Sequence, residues 1–534
     1  MQNIFIEYVY LVLIIVALVM IANKLRIAYP IVLVLGGLAL SFTSVFSHVT
    51  IDPDLVFFIF LPPLLFEAAW QVSWKEFWRW RRVIASFAFP IVILTSCVIA
   101  FVSYQLIPGF TLALGFLLGG IVSPPDAISA TTIMRQVKVP KRLLSIIEGE
   151  SLLNDASSLI VFRFALAAVV TGQFNFQQAA GNFFVVIVMG VITGLLVGLI
   201  FYAIYRWLPT STSIEIVLTL VTPYCMYYFA EHFHFSGVLA VVSGGLFLSR
   251  KRQVMLTYQS RIQSVNVWAV LGFVLNGLVF ILIGLPLPTI TGQLGDVSLN
   301  TAIWYGLAIS LVLILTRLFC ALSASPISWL MSHFIKVEDP RLQWKMPLIF
   351  GWAGMRGVVS LAAALSIPLV LGEGQAFPYR NLIIFITFIV ILVTLVLQGL
   401  TLPWLIRKLN LEDTDSPIPE HEQKILIQKK ILESSLQFIE EKYHTDLEAN
   451  EHLKSFYASL KADLNFYSQG TEDIYRENNP FKNHQAVNLE LLEHQRRLVD
   501  EMNRKGEFDE ELIRKYLSLI DLEEFKVREK LSGA

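Results

Sequence analysis

Eight consecutive residues, Glu148-Gly149-Glu150-Ser151-Leu152-Leu153-Asn154-Asp155, lead into an apolar run that continues to about Thr171. Three carboxylates and an amide therefore enter a segment with the composition of a membrane helix. Ionisable groups in such a place cost roughly 2.5–3.5 kcal/mol each on insertion scales, so those that persist mark ion or proton pathways as a rule. Helical spacing sorts them. Ser151 and Asp155 are related i,i+4 and share one face, with Glu148 almost two turns before Asp155 on a similar face. Glu150 and Asn154 form a second i,i+4 pair, turned about 100° from the first. Asp155 lies deepest in the apolar run.

A carboxylate drawn out of water needs a compensating charge. A proton or a hard cation can supply it, but not both at once. Hard cations prefer oxygen ligands, and Asp155, Ser151, Asp126 and backbone carbonyls near Pro125 offer them. The competing reading is a permanently hydrogen-bonded, structural Asp155. Asp126 follows Pro124-Pro125 and also suits the cap of a following helix, a role compatible with lining an ion site. Glu67 closes the run Leu61-Pro62-Pro63-Leu64-Leu65-Phe66-Glu67. It either lines a pathway or snorkels to the interface. Arg356 is expected near mid-depth and needs a carboxylate; Glu150 is the expected partner, in a structural pair. Arg163 has no evident partner, Arg317 is expected to snorkel, and Asn276 is expected to glue helices. Glu231, His232 and His234 are assigned to a short solvated loop.

The elements that must position these groups are membrane helices. The chain is 55% hydrophobic and only 16% charged, with a mean hydropathy of +0.62. A span needs about 20 apolar residues. Thirteen are expected, at 5–23, 27–46, 55–71, 83–104, 111–134, 146–171, 181–205, 213–230, 236–249, 266–289, 300–325, 346–371 and 382–406. Connections after odd-numbered spans hold 20 Lys and Arg residues, against Arg380 alone in the others. The positive-inside rule then puts the N-terminus outside and the C-terminal tail in the cytoplasm. The fifth span is interrupted by Gly119, Gly120, Ser123, Pro124, Pro125 and Asp126, and the twelfth by Gly351, Gly354, Arg356, Gly357 and Ser360. An offset of seven spans makes the two run in opposite directions, as inverted repeats require, and broken helices in matching places point to a transport site. The repeat rests on topology, since the halves share no convincing residue-level similarity.

Two domains are expected: a membrane domain at 1–410 and a cytosolic, acidic, helical domain at 411–534. The second carries 27 acidic and 17 basic residues, the first 15 and 24, so a formal charge of −1 hides opposite halves. Amphipathic stretches at 489–499 and 512–522 fit packed helices. Cys97, Cys225 and Cys320 lack paired spacing and suggest neither disulfides nor metal ligands. The first apolar run lacks a basic start and a small-residue cleavage site, so a cleavable signal is not expected. No phosphate loop, metal cluster or catalytic triad is seen. Neither an enzyme, a cofactor nor a nucleic-acid partner is expected.

Gly149-Glu150-Ser151-Leu152-Leu153-Asn154-Asp155, together with Pro125-Asp126, Phe66-Glu67 and Met355-Arg356-Gly357-Val358-Val359-Ser360, resembles the cation:proton antiporter-1 family, the NhaP/NHE-type sodium/proton exchangers. The resemblance covers about residues 5–408. It implies a homodimer of thirteen-span protomers, each with an interface domain and a six-helix core holding two crossed broken helices. It makes Asp155 the alternately protonated carboxylate. Glu67, Asp126, Ser151 and the Pro125 carbonyl become Na⁺-site contributors, Asn154 a support, and Glu150–Arg356 the core ion pair. Asn154 before the Asp, in place of a second acid, implies the electroneutral variant. The expected activity is exchange of Na⁺ for H⁺ at the plasma (inner) membrane, with Li⁺ or K⁺ as further substrates. A K⁺-selective exchanger is the main alternative, ahead of a cation channel or an intramembrane hydrolase.

Overall fold

The structure is a computed structural model and describes residues 2–43, 56–137, 139–172, 176–292, 294, 297–333, 344–371, 375–411, 420–468, 480–505 and 510–532. Of the basic residues used for orientation, Lys138, Lys336 and Arg341 lie outside these. The described chain is helical apart from one isolated bridge between Val370 and Ala376. It divides into two compact units, Met1–Asp413 and Thr414–Ala534.

In the first unit, α1 (Gln2–Leu25) and α2 (Tyr29–Ser41) precede α3 (Leu61–Gln71), which follows a wide turn at Val56–Phe60. Helix α4 (Trp74–Ser86) passes through a second wide turn, Phe87–Ile91, into α5 (Val92–Leu106). Then come α6 (Leu112–Val122), α7 (Ala127–Met134) and α8 (Lys141–Thr171). Next follow α9 (Phe176–Trp207), α10 (Thr212–His232), α11 (Gly237–Met255) and α12 (Tyr258–Gly284). A short α13 (Leu287–Gly292) leads to α14 (Leu299–Met331), α15 (Lys345–Trp352) and α16 (Val358–Leu365). Helix α17 (Arg380–Val393) continues through the wide turn Thr394–Gln398 into α18 (Gly399–Leu409). Among the described residues, eight helical stretches are long and apolar enough to cross a membrane, and three shorter apolar helices lie at Val9–Leu25, Tyr29–Ser41 and Phe57–Gln71. The chain is thus an all-α, multi-pass membrane protein with bent helices.

Local sequence explains the helix that matters most. Pro140, which lacks an N–H, stands at the start of α8, where that donor would be unpaired anyway. Gly172 ends it at φ 68°, a left-handed cap that a Cβ would strain. The buried face of α8 carries Gly149, Ala156, Ser157 and Ser158 among larger apolar residues. Small residues allow neighbours to come close, and in lipid such close packing replaces the hydrophobic drive. The Ser157 hydroxyl donates to the Ala88 carbonyl in the wide turn between α4 and α5, where Pro90 interrupts the helix. Helix α6 lies equally tight on α5: a Cβ at Gly119 would sit 2.5 Å from the Ser96 carbonyl oxygen.

In the second unit, α19 (Glu420–Lys442), α20 (His444–Ala449) and α21 (Glu451–Ser468) are followed by α22 (Pro480–Lys505) and α23 (Glu510–Ser532). Helices α22 and α23 pair side by side. Leu492 and Ile513 are buried there. Arg496 ties the pair together, reaching Asp521 at 2.8 Å and Glu524 at 2.5 Å.

Candidate cation site

Two helix interruptions build the centre of the first unit. Helix α6 stops at Val122 and α7 resumes at Ala127, across Ser123-Pro124-Pro125-Asp126. Helix α15 stops at Trp352 and α16 resumes at Val358. The Asp126 and Ala127 amides, which would bond the Val122 and Ser123 carbonyls in a continuous helix, turn to Met355 and Ser151 instead, so those two carbonyls lose their helical partners. Arg356 takes them over: its Nε donates to the Val122 carbonyl at 2.8 Å and one Nη to that of Ser123 at 3.1 Å. Its other Nη donates to the Gly354 carbonyl. The Asp126 amide donates to the Met355 carbonyl at 2.7 Å, so the interruptions are bonded to each other.

Beside this crossing lies a cavity of about 250 Å³. Glu67, Pro125, Asp126, Ser151 and Asp155 all line it. The Asp126 carboxylate caps α7, accepting from the Ile128 amide at 3.0 Å and from the Ser129 amide and hydroxyl at 3.3 and 2.7 Å. Ser151 Oγ accepts from the Ala127 amide at 3.3 Å. Asn154 does not line the cavity; its side-chain amide donates to the Pro125 carbonyl at 3.0 Å and fixes that strand of the break from behind. Glu67 Oε1 accepts from Gln71 at 3.0 Å. Gly272 of α12 leaves room for the Glu67 carboxylate, because a Cβ there would overlap it.

Asp155 differs from all of these. It is only 8% exposed, yet among the described residues no hydrogen bond or ion pair is made by its carboxylate. A buried acid without a fixed partner, facing a mainly apolar space with several oxygen-bearing groups in its wall, can be neutralised by a proton or by a hard cation. Neutral His or Cys ligands, which softer metals favour, are missing from the lining.

Three expectations change. Glu150 does not pair with Arg356. Arg317 of α14 grips it with two bonds of 2.8 Å, and both residues are buried. Arg317 does not snorkel, because α14 runs on to Met331 and leaves it well inside the helix. Arg356 needs no acid, since carbonyls freed by the break satisfy it. Second, Arg163 has a partner: its guanidinium meets Glu231 at 2.6 Å. Glu231 and His232 belong to the last turn of α10 rather than to a loop. Third, Asn276 Oδ1 bonds to no neighbouring helix; it is buried without a partner, and the residue lines the cavity. Sequence reasoning also missed the Glu67–Gln71 bond, whose i,i+4 spacing was legible. It missed Arg135 at the cavity, 3.4 Å from Glu148.

The chain is also similar to known proteins. The family described as "Sodium/hydrogen exchanger, transmembrane" matches residues 10–408. A Bacillus pumilus protein named a sodium, potassium, lithium and rubidium/H⁺ antiporter is 34% identical over 433 residues, covering 78% of this chain and 64% of that protein. The Escherichia coli protein YjcE, named an uncharacterized Na⁺/H⁺ exchanger, is 30% identical over 522 residues, covering 93% of each chain. The solved sodium proton antiporter MjNhaP1 of Methanocaldococcus jannaschii shares the fold, with a TM-score of 0.60 and 18% identity, covering 77% of this chain and all of that one.

Proposed function

The chain belongs to the sodium/hydrogen exchanger family, and from that premise we propose that it is an electroneutral Na⁺/H⁺ antiporter in which cation and proton compete for Asp155. The observation that carries the reading is the state of that carboxylate: buried, without a partner among the described residues, and on a cavity whose wall includes other oxygen-bearing groups. A site of this kind holds one positive charge at a time. Loading Na⁺ on one side and H⁺ on the other moves one against the other, near one to one. Ser151, Asp126, Glu67 and the Pro125 carbonyl share the cation with Asp155, while Asn154 holds Pro125 in place.

Alternating access requires the site to face each side in turn. Thirteen spans, with interruptions in the fifth and twelfth placing two half-helices head to head, provide the inverted repeat for such a movement. The basic residues support an outside N-terminus and a cytoplasmic C-terminal unit. Residues 1–410 then act as the antiporter domain of a plasma (inner) membrane protein, and 411–534 as its cytosolic acidic domain. The resemblance to the antiporter-1 family supports a homodimer.

Reconstituted protein tests the reading. Asp155→Asn should abolish cation-driven proton movement across proteoliposomes while leaving the protein folded; exchange that survives in this variant refutes the assignment. The name of the Bacillus pumilus relative favours a broader variant, in which K⁺, Li⁺ and Rb⁺ are also exchanged. Running each alkali cation against a pH gradient decides between the two.

A further inference from the structure

Beyond the groups just assigned, two oxygens on the cavity have nothing to do. Asn276 Oδ1 on α12 and Ser360 Oγ on α16 are each buried without a hydrogen-bond partner among the described residues. Both residues line the space that Asp155 faces. Of the other orphaned atoms among the described residues, none belongs to a side chain of the lining: Asn154 Oδ1 lies behind the wall that its amide holds, and Gln398 and Trp80 are not part of it. Helices α12 and α16 pack against each other and also approach the helices of the acidic cluster: α12 touches α3, and α16 touches α8. Buried polar atoms are almost always bonded, so an exception facing a binding cavity points to a ligand that completes it.

On the acidic side of the cavity every oxygen group except Asp155 already accepts at least one hydrogen bond, so each gives a cation only the lone pairs left over. Asp126 is committed to three donors of α7, Ser151 to the Ala127 amide and the Pro125 carbonyl to Asn154. A hard cation stripped of water needs about six oxygens. We propose that Asn276 and Ser360 are the second oxygen face of the cation site, and that they set which alkali cation is preferred. Both are neutral, so they leave the one-charge rule of Asp155 intact. Both are short and stand on packed helices, so the gap between them and the carboxylate resists adjustment. Ligand number and cavity width then discriminate among Li⁺, Na⁺ and K⁺. The motif around Arg356 contains Ser360, and Asn276 lies far off in sequence, so neither spacing nor charge marks them as a pair.

This inference rests on the antiport reading, and the experiment separates the two. Wild-type, Asn276→Leu, Ser360→Ala and Ser360→Thr proteins are reconstituted, and apparent KM and kcat are measured for Li⁺, Na⁺ and K⁺ at one pH. Loss of a ligand removes binding shared by ground and transition states, so it raises KM rather than lowering kcat. Ser360→Ala and Asn276→Leu should raise KM by about tenfold for the preferred cation and change the ratio of KM values across the series. Ser360→Thr, which keeps the hydroxyl, should restore the wild-type ratio. Unchanged ratios in both replacements, or a fall in kcat alone, would overturn the proposal. If Asn276→Leu does not fold, Asn276→Gln serves instead: a longer amide should shift the ratio, and an unshifted ratio counts against the idea. A wild-type protein that exchanges no cation would sink the antiport reading itself.

Discussion

Glu150 and Asp155 stand on the same helix, less than two turns apart, and meet opposite fates. Glu150 is sealed against Arg317 by two bonds of 2.8 Å, away from the cavity. Asp155 lines the cavity and, among the described residues, holds no fixed partner. Both are buried acids, so both need a positive charge. The protein gives one a permanent guanidinium and leaves the other to whatever the solution brings. Arg356, in the facing interruption, is spent on the carbonyls of the broken helix. A sealed pair stabilises the crossing of half-helices, and an open acid can exchange. Acidity inside an apolar helix therefore does not by itself leave a group free to exchange; whether the fold supplies a counter-charge decides that.

Replacing each acid by its amide should separate the two roles. Asp155→Asn is expected to bring exchange down to the liposome background, a loss on the order of 100-fold or more, as for removal of a group that reacts directly. Its thermal unfolding in detergent should match or exceed that of wild type, because no ion pair is broken. Glu150→Gln should do the reverse. It strands a buried guanidinium and should cost about 3–5 kcal/mol of stability, seen as a large fall in unfolding temperature. Replacing both partners together, as Glu150→Leu with Arg317→Met, should recover most of that loss. Equal destabilisation by Asp155→Asn and Glu150→Gln would erase the distinction.

Competition at the open acid has a signature that the sealed one lacks. Where Asp155 is protonated without cation, apparent KM for Na⁺ should rise by up to about tenfold for each unit of falling pH, because each bound cation must displace one proton. A smaller effect is expected at the edge of the cavity. Gly272→Ala pushes on the Glu67 carboxylate and should raise KM by about twofold to fivefold through misplacement, measured in the same flux assay.

The legible part of this molecule was its periodicity. Pro124-Pro125 and Gly354/Gly357 fall where α6 gives way to α7 and α15 to α16; two successive prolines remove two helical donors, whereas a single proline such as Pro223 stays inside a continuing helix. The gathering of Glu67, Asp126, Ser151 and Asp155 was likewise foreseeable, from helix spacing and the cost of intramembrane charge. Partner choice was not. Pairing Glu150 with Arg356 assumed that a buried Arg needs an acid, and it overlooked the carbonyls that a proline break sets free. Arg317 was misjudged because the end of α14 was placed too early, and a few residues decide whether a guanidinium reaches water. Asn276 looked like interhelical glue since spacing cannot say which side of a helix faces a cavity.

The C-terminal unit offers the smallest effect and a contrast in solvent. Hydrogen bonds from the Arg496 side chain, and then from Arg528, hold the Glu524 carboxyl below the usual carboxylate range. A depressed folded-state value stabilises the fold above the unfolded pKa, near 4.3, and that contribution is lost as pH falls through the folded value. Between pH 5 and 8 the α22–α23 pair should therefore hold steady, and it should loosen only in stronger acid, visible as faster limited proteolysis of the full chain. In Glu524→Gln that acid sensitivity should shrink slightly, with exchange unaffected.

Proton release on cation binding tests the central claim most directly. Purified protein in weakly buffered detergent, held at a pH where Asp155 carries its proton, is mixed with saturating Na⁺ and the liberated H⁺ is counted with an indicator dye. The account predicts close to one proton per chain from wild type, the same from Ser360→Thr, and none from Asp155→Asn. Sodium that binds wild type without releasing a proton, or undiminished release from Asp155→Asn, would contradict it.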